Sequence, residues 1–165
     1  MKVREWAIQL ALVWLFATST AIGSCGIVQA QDLPDLEKGS TIKINVRVNF
    51  SGNPDEGIYF QDGKNVPESK VDFNRPCCWL QLTQDIQGAY TIAKGSTFQI
   101  SPHKVNNTGQ QKPPNTQAIL YAHAGDPSQV VPRFMVIGYL PTRKDTYMPV
   151  ETFKEQIGSY ITILK

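Results

Sequence analysis

Thr41-Ile42-Lys43-Ile44-Asn45-Val46-Arg47-Val48-Asn49-Phe50 alternates apolar and polar residues without a break. Successive side chains of a strand point to opposite faces. Ile42, Ile44, Val46, Val48 and Phe50 therefore make one apolar face, and Lys43, Asn45, Arg47 and Asn49 make one wet face. Such a ribbon must bury its apolar side against other segments, and those lie downstream. It points to a mainly β fold.

Upstream, the chain has the order of a secretory signal peptide. Lys2 and Arg4 lead, an apolar run follows from Ala7 to Ile22, and small residues take over at Gly23, Ser24, Cys25 and Gly26. The strongest apolar stretch falls short of the ~20 residues of a spanning helix, and no basic stop-transfer flank follows. Val28-Gln29-Ala30 carries the small residues that an ordinary signal peptidase needs, which leaves Gln31 first. Ile22-Gly23-Ser24-Cys25 resembles the lipobox of bacterial lipoproteins, although leucine is usual where Ile22 stands. That resemblance implies a lipid on Cys25 and a polar leash from Gly26 to Gly39. The expected organisation is a signal peptide over 1–30, a lead-in over 31–40 and one β domain over 41–165. The expected address is export: periplasmic, secreted, or an outer-membrane lipoprotein.

Loss of Lys2, Arg4 and Glu5 lowers the 16 basic and 14 acidic residues to 14 and 13. That balance excludes nucleic acid as a partner, since phosphate binding wants a basic surplus. The remaining length suits one domain with a single core. Twelve Gly and eleven Pro in the whole chain indicate many turns.

Gly57–Gln61 reads as a short strand, and Asp62-Gly63 is a tight hairpin signal, because both central positions must tolerate positive φ. Pro76–Leu82 is the next strand, with Cys78, Leu80 and Leu82 on one face and Cys77, Trp79 and Gln81 on the other. Tyr90 and Ile92 lead to a Lys94-Gly95 turn, and Thr97–Ile100 resumes as strand. Residues 101–117 hold one apolar residue, Val105, and three prolines, so they read as a long loop, either for binding or mobile. Ala118–Ala124 and Val130–Leu140 are strands, Val150–Ile157 is the one helix, stopped by Gly158, and Ser159–Leu164 closes the chain. Seven or eight short strands suggest an immunoglobulin-like or transthyretin-like sandwich, or a small barrel. The expected core includes Ile44, Val46, Val48, Trp79, Leu80, Phe98, Leu120, Phe134, Val136, Ile157 and Ile161.

Cys77-Cys78 is the unusual chemical feature. Cα atoms across a trans peptide are about 3.8 Å apart, below the usual disulfide range of about 4.4–6.8 Å. In a regular strand the two sulfurs diverge, which leaves one small core residue and one exposed thiol. A strained ring acting as a redox switch, an intermolecular bond, or a site with His123 are the other readings. Soft sulfur with imidazole suits copper, and His103, Met135 and Met148 are further candidates, but the histidines show no ligand spacing. No recognised catalytic constellation is present. Neither a resident metal nor a cofactor is implied. His103, Asn106, Tyr121 and Tyr147 are the candidate binding surface, because exposed amphipathic aromatics favour interfaces. Asn49-Phe50-Ser51 and Asn106-Asn107-Thr108 also fit the glycosylation acceptor pattern. The leading expectation is an exported, non-catalytic domain that binds a protein or envelope component, touching a membrane only through Cys25. A thiol-redox or copper protein and a small hydrolase are the alternatives.

Overall fold

The computed structural model describes residues 30–165 except 38, 54, 84, 85, 87, 108–114, 130, 143–145 and 165. The leader and Cys25 lie outside the described residues. Ten strands follow: β1 (Thr41–Ile44), β2 (Val48–Phe50), β3 (Gly57–Gln61), β4 (Lys64–Val66), β5 (Cys77–Leu82), β6 (Tyr90–Ile92), β7 (Thr97–Asn107), β8 (Asn115–His123), β9 (Phe134–Leu140) and β10 (Ile161–Leu164). Among the described residues one α-helix, α1 (Val150–Ile157), stands before β10. Eight strands form an antiparallel sheet in the order β10-β1-β7-β8-β9-β5-β3-β4, and β2 pairs with β6 apart from it. The chain is mainly β, and the large sheet curls into a half-barrel that fits a small barrel-like fold.

The ribbon at 41–50 is two strands rather than one. Its first half lies between β7 and β10, and its second half pairs with β6. Asn45 holds the corner between them. Its backbone N–H donates to Tyr160 O at 2.8 Å. Its side-chain amide donates to Ser159 O at 2.9 Å and to Thr162 Oγ1 at 2.8 Å. The alternation survives the bend, with Ile42, Ile44, Val48 and Phe50 buried and Lys43, Arg47 and Asn49 exposed. Val46, at the corner, is only half-buried.

The sheet's inner face is the core. Rows such as Ile58-Leu80-Val136-Leu120 run across neighbouring strands. Phe98 meets Phe134 edge to face with ring centroids 4.8 Å apart. Helix α1 packs against this core through Phe153 and Ile157, four residues apart and so on one helical face. Its C-terminal end is clasped to the hairpin turn between β3 and β4. Gly63 N–H donates to Gln156 O at 3.0 Å, and Asp62 N–H donates to Gln156 Oε1 at 3.1 Å. Both turn residues have positive φ, 52° at Asp62 and 73° at Gly63, as the Asp-Gly signal requires.

Two expectations change here. Residues 31–37 are not a leash. Leu33 is fully buried, its N–H donates to Met148 O at 2.9 Å, and Val150 N–H donates to Gln31 O at 2.9 Å. The stretch 101–117 is not one long loop: β7 runs to Asn107 and β8 starts at Asn115. Pro102 is tolerated within β7 because of where its missing donor would point. Ile100 N–H donates to Ser40 O on the β1 side. Two residues on, Pro102 presents that same side, where β1 has ended and no strand waits for a donor.

Candidate functional site

Register carries the outer face from β7 to β3 as three aligned rows. One row reads His103-Ile119-Ile137-Trp79-Tyr59, ending at Val66 in β4. Beside it runs Ser101-Tyr121-Met135-Gln81-Gly57, and on the other side Val105-Gln117-Tyr139-Cys77. None of these positions is Asp, Glu, Lys or Arg. Charge returns at the margins, at Lys43 in β1 and Lys64 in β4, which share this face by register. A solvated sheet face is ordinarily the polar one. This face is instead built of aromatic, aliphatic and amide side chains.

The rings are ordered. Tyr59 lies along its own strand over Gly57, where a Cβ would come within 2.7 Å of the ring. Tyr59 and Trp79 are 5.6 Å apart between centroids and 30° from parallel. Phe73, from the segment between β4 and β5, stands edge-on to Tyr59 at 6.2 Å and to Tyr139 at 5.7 Å. That segment is held by Gln61, whose amide donates to Asp72 O and Pro76 O and accepts from Asp72 N–H. An Arg75–Asp62 ion pair at 2.8 Å adds an exposed contact. Trp79 Nε1 donates to Gln81 Oε1 at 3.3 Å. Burial, the Glu68 carboxylate and a hydrogen bond to it push the Tyr59 hydroxyl up to about 12. Trp79, expected in the core, is instead half-buried on the outer face, because it alternates with the inward Cys78 and Leu80.

Cys77 and Cys78 are both free and both buried. The expected exposed thiol is therefore absent: Cys77 faces outward but is covered in the aromatic cluster. Burial, and to a lesser degree Asp72, raise its thiol from 9.0 to about 12. Cys78 faces the core, where its Sγ lies 3.7 Å from Met148 Sδ. Burial, then the Cys77 thiol, hold it well above its ordinary value. Such thiols are poor nucleophiles, because the thiolate is the reactive form. His123 is buried and pairs with Gln99 at the far end of β8. Six strand positions, about 20 Å, separate it from Gln117 in the Cys77 row. The structure does not bring His123 to the cysteines. Among the described residues no three of His, Cys, Asp and Glu gather as a metal site would need.

The four candidate surface residues divide between the two faces. His103 and Tyr121 share the outer face, with ring centroids 6.3 Å apart. Asn106 is exposed and pairs with Thr116 in the inward set. Tyr147 is buried, with Lys104 Nζ 5.3 Å from its ring centroid. Lys104 also meets Asp35 at 2.9 Å. Sequence reasoning missed Met135, Ile119, Gln81 and Gln117 as partners of Tyr121 and Trp79. The signal lay in the alternation of each strand, but only the register lines those residues up. No family model matches the chain, and neither a curated protein nor a solved structure matches it.

Proposed function

We propose that this is an exported or envelope-anchored β domain that works by binding, without chemistry of its own. The observation that carries this reading is the outer face from β7 to β3, whose strand positions hold no Asp, Glu, Lys or Arg. Aromatic and apolar residues that cluster at a surface rather than scatter mark interaction sites, and Tyr59, Trp79, Ile119, Tyr121 and Met135 are each half-buried on this face. Depletion of charge at the centre of a patch is the compositional signal of an interface. The pattern of the first 30 residues supports export, with processing after Ala30 or lipidation at Cys25. Processing at Ala30 agrees with Gln31 already being tied to the fold through Val150 and through its own amide, which donates to Asp35 O at 2.8 Å. A sandwich in the immunoglobulin or transthyretin sense remains the finer fold proposal.

The thiol-redox and copper alternatives draw less support, because the two sulfurs lie on opposite faces of β5. The hydrolase alternative has no constellation behind it. The test is co-sedimentation of the full chain, expressed in a secreting host, with envelope fragments. Trp79→Arg places a charge in the middle of the face. The reading expects wild type to sediment and the variant to bind at least about tenfold more weakly, a loss of about 1.4 kcal/mol. Equal binding by the two proteins, with both equally folded by circular dichroism, would overturn it.

A further inference from the structure

The outer face has a size, a charge and a texture, and together they narrow its partner. Strand spacing and rise give the five-strand, five-residue patch roughly 19 Å by 13 Å, about 250 Å² in projection. A stable protein interface needs about 800 Å² on each partner. Even allowing for surface relief, the patch is small for a second copy of this chain or for another folded protein. It suits a narrow ligand laid across the strands.

Charge removes further candidates. Phosphate-bearing polymers and anionic lipid surfaces are gripped by Lys and Arg, and the rows hold neither. Texture then selects among neutral ligands. A purely apolar ligand would leave Gln81, Gln117, Ser101 and His103 facing hydrocarbon. A sugar ring matches both halves of this surface. Its C–H face packs on an aromatic ring, whose π cloud is negative. Its hydroxyl rim needs groups that both donate and accept, as amides do. Tyr59 packs over Gly57 with Trp79 tilted 30° from it, and Gln81 is next to Trp79. Tyr121 lies two strands away from Trp79, on β8.

We propose that this face binds an uncharged, extended glycan chain, with Trp79, propped by Tyr59, as the stacking platform and Tyr121 as a second contact along the chain. This rests on the binding reading above and names its ligand class. Apart from Trp79, the chain's tryptophans are Trp6 and Trp14. The full chain carrying Trp6→Phe and Trp14→Phe therefore reports on Trp79 alone. Its emission is titrated with cellohexaose, chitohexaose and maltohexaose, and with hexagalacturonate as an anionic control.

The expected result is a saturable change with at least one neutral hexasaccharide, unaffected by salt and absent with the anionic one. Tyr121→Ala, half-buried on the face, should weaken it about two- to tenfold, as loss of one aromatic contact does. Gln117→Ala provides a second, milder variant, expected to weaken binding while leaving the thermal melt unchanged. No saturable change with any neutral probe overturns the proposal. So does binding that is undiminished in both variants, or binding that falls with salt. If the neutral probes fail but protease-sensitive adsorption to envelope fragments persists, the glycan is wrong and a protein ligand replaces it. If the chain binds neither, the binding reading falls too.

Discussion

Cys77 and Cys78 are neighbours in sequence and occupy different interiors. One is sealed into the aromatic cluster outside the sheet, the other touches Met148 within the core. Raised thiol values carry a stability consequence. In the unfolded chain these thiols lose protons near the ordinary 9.0, whereas folded Cys77 holds its proton to about 12. Between those values the unfolded chain binds fewer protons, so stability falls as pH rises. The slope is at most about 1.4 kcal/mol per pH unit for each thiol. Tyr59, raised to about 12 from 10.0, acts in the same direction. Urea unfolding followed from neutral to alkaline pH should show this decline, and Cys77→Ala should make it shallower. A flat profile above pH 9 would show that Cys77 is not enclosed. Gly158 gives a second residue-scale expectation. Its φ is +58°, and a Cβ there would come within 2.8 Å of Gly63 O. Gly158→Ala should cost about 1–3 kcal/mol in urea unfolding, through strain of that kind. An unchanged midpoint would mean that the clasp between α1 and the β3–β4 turn is loose.

The elements differ in how readily the sequence discloses them. Helix α1 was legible to the residue, because Phe153 and Ile157 share a face and Gly158 stops the chain. The Asp62-Gly63 turn was equally plain, since few dipeptides tolerate two positive φ values. The β7–β8 hairpin was hidden by Pro102 and a polar composition, both of which a strand accepts when one side has no neighbour to supply. The corner at Asn45 was hidden for the opposite reason: alternation continues across it, so nothing local marks the change of sheet. The lead-in was the third miss, because two leucines, Leu33 and Leu36, carry it. Leu33 sits in the core beside Met148, and a Cβ on Gly138 would meet its Cδ1 at 2.8 Å. Leu33→Ala should destabilise the domain by about 2–5 kcal/mol, the range for emptying a buried leucine site. A loss under half a kcal/mol in thermal or urea unfolding would return residues 31–37 to the status of a tether.

At the scale of the molecule, the curled sheet has two apolar sides and one set of internal partners. Helix α1 and the lead-in pack on the inner side. The outer side is roofed at one corner by the segment carrying Phe73 and elsewhere presents Tyr121, Met135, Trp79 and Gln81. Those residues come from three strands separated by tens of positions, so no local motif announces the face. The near-neutral balance of charge was readable from composition, but the withdrawal of charge from one particular surface was not. Hydroxyl-radical footprinting of the full chain, with and without envelope fragments, tests that surface most directly, because tryptophan, tyrosine and methionine side chains label readily. The account predicts that Trp79, Met135 and Tyr121 lose labelling when the fragments are added, while Tyr160, on the core side, does not. Unchanged labelling of those three, with protection appearing at Tyr160 or at the exposed Val131, would contradict it.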